Sequence, residues 1–243
     1  MNLLKKCKEK IVETLFPAWC LNCHKEGMAL CSDCLSLIEI NPWQHCPFCP
    51  KPKRVINKGK CGSHQHFALD GLFSAVSYQD PLVKKIIRAF KYQPFLKNLD
   101  QQLIQIILAH FQISENKILF HSQDNSCLIA IPISKSKLKR RGYNQSSLLA
   151  KGLSTFYQIP ILENILIKTK ETKSQVSLSK EERKENLAGA FSITSSEIIK
   201  NKIIFLVDDV FTTGATMEEA AKTLKRAGAK KVFGIAVARE GLN

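Results

Sequence analysis

Residues 203–216 read Ile-Ile-Phe-Leu-Val-Asp-Asp-Val-Phe-Thr-Thr-Gly-Ala-Thr. The run 203–207 has the length and apolar character of a strand covered on both faces. Two adjacent acids, Asp208 and Asp209, end it. A small, hydroxyl-rich segment follows, and residues 217–227 then read as a helix stopped by Gly228. A second apolar run, 232–237, completes the pattern strand, helix, strand. Parallel neighbours require such a crossover, so these residues predict a βαβ unit of a parallel sheet and an α/β fold.

Ligands in parallel sheets bind beyond the carboxyl ends of the strands. A loop entering a helix there aims backbone N–H groups and the positive helix end at one point. Gly214 lets the backbone approach an anion closely, and Thr212, Thr213 and Thr216 add hydroxyl donors beside Ala215. The segment therefore predicts a phosphate cradle. Asp208 and Asp209 would repel a phosphate unless they accept from sugar hydroxyls or hold a divalent cation. A ribose 5-phosphate satisfies both features. The string resembles the phosphoribosyl-diphosphate signature of type I phosphoribosyltransferases. It lacks the Gly-Lys-Ser/Thr of a P-loop and the spaced glycines of a dinucleotide fold. That resemblance implies a sugar-phosphate site at Asp208, Asp209, Thr212, Thr213, Gly214, Ala215 and Thr216, with the two acids as the catalytic pair. Magnesium would bridge the diphosphate as it leaves.

Upstream, residues 128–133 form another apolar run of strand length, and 145–156 reads as a helix. Residues 67–78 read as strand material around a glycine turn. Asp80 and Pro81 start a helix as N-cap and first residue. In it Leu82, Ile86, Ile87 and Phe90 face inward, and Lys84, Lys85, Arg88 and Lys91 face outward. A further helix spans 96–111. Thirty-six Lys and Arg against twenty-one Asp and Glu leave a net charge of +15, a field that attracts polyanions. Residues 126–162 contain no acid, and Lys135, Lys137, Lys139, Arg140 and Arg141 cluster within them just after a strand. These five are nucleic-acid candidates, and Arg141 is also a candidate for the diphosphate. A solvated basic loop fits the same residues.

Eight of the nine cysteines lie before residue 62. Cys20, Cys23, Cys31 and Cys34 form two knuckles, each with two residues between thiols, which completes a tetrahedral zinc site. Cys46 and Cys49 make a third knuckle, and Cys61 with His64 offers the remaining pair, His66 competing for the last place. Interleaved pairing of the knuckles satisfies the spacing as well. Cys7 and Cys127 stand apart, and Cys127 reads as a small core residue. So short a segment buries little core, and one or two structural zinc ions would supply the missing folding free energy. The expected division is residues 1–66, a helix at 3–16 plus the double metal module, and residues 67–243, the α/β domain. With no apolar run of membrane-span length and no export signal, the reading is cytoplasmic.

Four features then coincide: the zinc knuckles, Arg141-Gly142-Tyr143-Asn144-Gln145, the set Gln175, Arg183, Asn186 and Gly189-Ala190-Phe191, and the C-terminal signature. Together they resemble the ComF family, which includes ComFC and GntX proteins. The resemblance spans essentially the whole chain. It implies a phosphoribosyltransferase-like domain in a protein that assists uptake of transforming single-stranded DNA. The family is expected to act beside the helicase ComFA at the inner face of the membrane. This chain departs from the family at His64, where cysteine is usual, and at Lys168, where arginine is usual. Residues 168–185 carry six basic and four acidic side chains and fit either a mobile loop over the site or an exposed charged helix. The sequence thus carries two functions side by side, a strand-binding accessory protein and an active phosphoribosyltransferase; a ligand-responsive regulator is a weaker third.

Overall fold

The computed structural model describes residues 17–55, 59–114, 125–170 and 186–242. The helix expected at 3–16 lies outside the described residues. So do Cys7, Lys58, and most of the charged segment with Gln175 and Arg183.

Among the described residues six strands occur in the order β1 Gly71–Ser77, β2 Ser126–Ala130, β3 Leu166–Lys168, β4 Phe191–Ile193, β5 Ile203–Phe211 and β6 Lys231–Arg239. The α-helices are α1 Ser32–Leu35, α2 Pro81–Lys91, α3 Asp100–Ile113, α4 Lys135–Arg141, α5 Gln145–Tyr157 and α6 Ala215–Arg226. Four strands form an all-parallel sheet in the order β1-β6-β5-β2, and β3 pairs antiparallel with β4 beside it. The expected parallel α/β architecture is therefore present, with a cysteine-rich N-terminal module attached.

Alternation along β5 builds the two layers. Phe205 and Val207 join the core under α2, α3 and α5, whereas Ile204 and Leu206 join the core under α6 and the β3–β4 pair. Both faces are covered, which is why the strand reads as a continuous apolar run. The strand runs further than the apolar run suggests. It passes through the acid pair to Phe211, because β6 supplies ladder partners at Ala236, Ala238 and Arg239. Asp208 and Asp209 are thus strand residues held by a neighbour.

The expected cap forms: Asp80 accepts from the Leu82 and Val83 amides at 2.7 and 3.0 Å. A second cap, not read from the sequence, is Asn144, which accepts from Ser146 N at 3.1 Å to start α5. Two expectations change. The basic stretch after β2 folds as the short helix α4, capped by Ser134 and ended by Gly142 in the left-handed region. Residues 67–70 are connection and not strand, and β1 begins only at Gly71.

The metal module does not hang free. Cys20, Leu30 and Ile38 share one apolar cluster with Phe73, Ile86 and Phe111. Between module and sheet, the buried Glu218 of α6 accepts from the Ala68 and Leu69 amides at 2.9 and 3.0 Å. Glu218→Ala leaves two amides without an acceptor, so urea unfolding should show a loss of about 1–3 kcal/mol. Glu218→Gln, which keeps one acceptor, should lose less.

Candidate functional site

The acid pair lies near the carboxyl end of β5, and one oxygen of each carboxylate is engaged. Asp208 Oδ1 accepts from Ser146 Oγ and from the Asp209 amide, each at 2.9 Å. Asp209, 4% exposed, pairs through Oδ1 with Lys91 Nζ at 2.7 Å. Burial and the Asp209 charge push the Asp208 carboxyl up to about 7, against the pull of Lys91, the Asp209 amide and Ser146. Burial alone would lower the Lys91 ammonium; Asp209 and Asp208 outweigh it and raise it.

Lys91 was expected on the outer face of α2 and is turned inward instead. It lies four residues after Ile87, which is fully buried, so helical spacing puts both on one face. That spacing was the available signal. Ser146 carried none, since a serine in the first turn of a helix is ordinary.

Further cations surround the acids. Burial lowers the Lys137 ammonium, helped by the Arg141, Lys91 and Arg140 charges and opposed by Asp208. Burial also brings Lys168 down to about 8, with Lys137 adding to the fall and Asp208 opposing it. Lys168, where the family usually carries arginine, thus shares the Asp208 field with Lys137. Arg141 is buried, donates from Nη1 to Gln145 Oε1 at 2.9 Å, and lies 5.3 Å from the Tyr92 ring. Arg141 Nε and Gln145 Nε2 have no hydrogen-bond partner. The five basic residues grouped by sequence therefore separate. Lys135, Lys139 and Arg140 are exposed, Lys137 is half-buried, and Arg141 is inside.

The loop after β5 turns on Gly214, at φ +78, where a Cβ would collide with the Phe211 ring. Only glycine fits this point. Gly214 also caps α6 and brings no side-chain acceptor of its own, while Thr213 Oγ1 accepts from the Ala215 amide at 3.5 Å. Behind the loop a cavity of about 370 Å³ opens, with Thr212–Ala215 on one wall and Phe48, Phe67 and Arg239 opposite. The Phe48 and Phe67 rings stack at 3.7 Å. Arg239, also missed from sequence, donates from Nη2 to Cys46 O at 3.0 Å and so ties β6 to the third knuckle.

Among the described residues, two groups of side chains could hold a metal ion: Cys20, Cys23, Cys31 and Cys34, and Cys46, Cys49, Cys61 and His64. The pairing is sequential, not interleaved. His64 Nδ1 lies 3.3, 3.6 and 3.2 Å from the three sulfurs, which settles the place left open between His64 and His66. Cys23 and Cys31, and Cys49 and Cys61, stand 3.6 Å apart. Sulfurs bonded to one tetrahedral zinc at about 2.3 Å sit roughly 3.8 Å apart, so the spacing fits. Burial and the Cys61 and Cys46 sulfurs push the Cys49 thiol up to about 12, because neighbouring thiolates need a cation between them. Cys127, by contrast, is fully buried in the core, as expected.

Zinc-replete protein should release two equivalents of zinc per chain to a colorimetric chelator after thiol modification, and His64→Ala should release about one. The raised Asp208 value carries a sign. A carboxyl that holds its proton up to about 7 when folded, against 3.8 unfolded, costs stability as pH rises from about 4 to 7. Asp208→Asn should therefore raise the melting temperature by several degrees at pH 8, and the gain should vanish by about pH 4.

Residues 139–241 match the phosphoribosyl transferase domain family. Competence protein F of Haemophilus influenzae is 32% identical over 223 residues, covering 88% of this chain and 93% of that protein. Competence protein ComFC of Streptococcus pneumoniae is 28% identical over 214 residues, covering 86% and 87%. DNA utilization protein YhgH of Escherichia coli strain K12 is 27% identical over 218 residues, covering 84% and 93%. With the match to the Haemophilus protein running nearly end to end, this chain belongs to the ComF family of competence proteins, its C-terminal part a phosphoribosyltransferase domain.

Proposed function

We propose that the chain binds a ribose 5-phosphate compound, phosphoribosyl diphosphate in the first instance, and assists the uptake of transforming single-stranded DNA. One juxtaposition supports this most: an acid pair and a glycine-capped helix N-terminus on the same strand end, ringed by Lys91, Lys137, Arg141 and Lys168. The acids suit ribose hydroxyls, the first turn of α6 suits the 5-phosphate, and the cations suit the diphosphate with its magnesium. Arg141 Nε and Gln145 Nε2, buried without partners, are donors that an anionic ligand would satisfy. The relatives' names carry the biological half of the reading, and the competence helicase is its natural partner. No helix among the described residues is long and apolar enough to cross a membrane. A cytoplasmic chain held at the inner membrane face by its partners is the placement we favour. In both metal clusters zinc is the ion that the donor set suits, in a structural role.

Calorimetry with phosphoribosyl diphosphate and magnesium tests the pocket. Wild type should bind, and Asp208→Asn/Asp209→Asn should lose at least tenfold. Because Lys168 discharges above about 8, anion affinity should fall as pH rises through that value, and Lys168→Arg should flatten the fall.

A second reading, turnover, draws on the same cations, which are placed to stabilise a departing diphosphate. Diphosphate release against a panel of bases and amines separates it from binding alone.

The strand-binding half has its own test. Lys135, Lys139 and Arg140 are exposed together on α4. If each meets a phosphate, changing all three to Ala should reduce the slope of log affinity for single-stranded DNA against log salt by about 2.

A further inference from the structure

Sugar-phosphate sites with paired acids offer two uses for the carboxylates, holding a metal or accepting from hydroxyls. Here a third group has already arrived. Lys91 ends α2, where the helix carbonyls favour a cation, and its Nζ sits 2.7 Å from Asp209 Oδ1. We propose that Lys91 is the resident cation of the acid pair and keeps divalent ions off it. Any magnesium then reaches the pocket only as part of a sugar-diphosphate complex. That last consequence rests on the ribose-phosphate reading, whereas the exclusion of metal does not.

Coordination chemistry supports the exclusion. Magnesium demands near-octahedral oxygen ligands at about 2.0–2.1 Å. Asp208 Oδ1 is occupied by two donors, the Ser146 hydroxyl and the Asp209 amide, and Asp209 Oδ1 by the ammonium. A divalent ion bridging the carboxylates would either compete with these donors for Oδ1 or take the other oxygens, and in both cases it would stand beside a charged lysine. Lys137 and Arg141 add more positive charge to the same field. An ammonium differs from a metal in one useful respect. It neutralises Asp209 without drawing Asp208 into coordination, and it leaves the outer oxygen of Asp208 to a neutral hydroxyl.

Manganese(II), a paramagnetic stand-in for magnesium, tests this on the full-length, zinc-loaded protein at pH 7.5 without sugar phosphate. Electron paramagnetic resonance counts free and bound ion. Wild type and Asp209→Asn should bind manganese alike. Lys91→Met should gain about one equivalent bound at least tenfold more tightly than the wild-type background, and Lys91→Met/Asp209→Asn should lose it. Lys91→Gln, which is closer in shape and polarity, should gain the same site and serves if the methionine variant does not fold. A manganese site in wild type that disappears with Asp209→Asn would overturn the proposal, as would folded lysine variants that gain nothing. Repeating the titration with phosphoribosyl diphosphate separates the two readings. If that compound does not bind but the lysine variants gain their metal, the ligand assignment fails and the role of Lys91 stands.

Discussion

Two carboxylates at the end of a strand that is buried on both faces need positive charge or hydrogen-bond donors, and most of the site follows from that need. The donors come from three separate elements. α2 delivers Lys91 from its last turn, α5 delivers Ser146 from its first, and the strand itself supplies the Asp209 amide. Each helix must therefore end or begin at one place over the sheet edge. The capping residues set those places: Asp80 fixes where α2 starts, and Asn144 fixes where α5 starts and also donates to Ile131 O at 3.0 Å. Local signals of about 1 kcal/mol each thereby position groups that lie far apart in the chain.

The same economy holds on the other face of the sheet. Gly234 lets Met217 of α6 lie close against β6, since a Cβ there would come within 2.6 Å of the sulfur. α6 can then present its first turn to the strand ends while its flank, through Glu218, holds the connection from the metal module. One helix serves the loop and the module at once. The cavity behind the loop is bounded by both, and the stacked Phe48 and Phe67 rings form its apolar side.

Much of this was legible in the sequence. β5, β6 and the helix between them followed from apolar periodicity and Gly228, and the cap at Asp80 follows a rule that needs no tertiary information. The knuckle spacing gave both ligand groups, because a short chain segment can present its thiols in few ways. What escaped depends on contacts between distant elements. Lys91 looked solvated because lysines usually are, yet the acids on β5 supply the partner that makes its burial favourable. Arg141 was read both with its exposed basic neighbours and as a diphosphate candidate, and its contacts with Gln145 and Tyr92 are what part it from those neighbours. β5 was read two turns of the pleat too short, since polar residues end an apolar run without ending a ladder.

Arg239 reaches back to the Cys46 carbonyl across 193 positions of sequence. During synthesis the cysteine-rich segment leaves the ribosome well before the side chain that anchors it to the sheet. Glu218, the other clamp, is also made late. Until then the module's apolar side, Leu30 and Ile38 included, has no sheet to cover it. Bound metal would give those early residues a local fold that does not wait for Glu218 and Arg239.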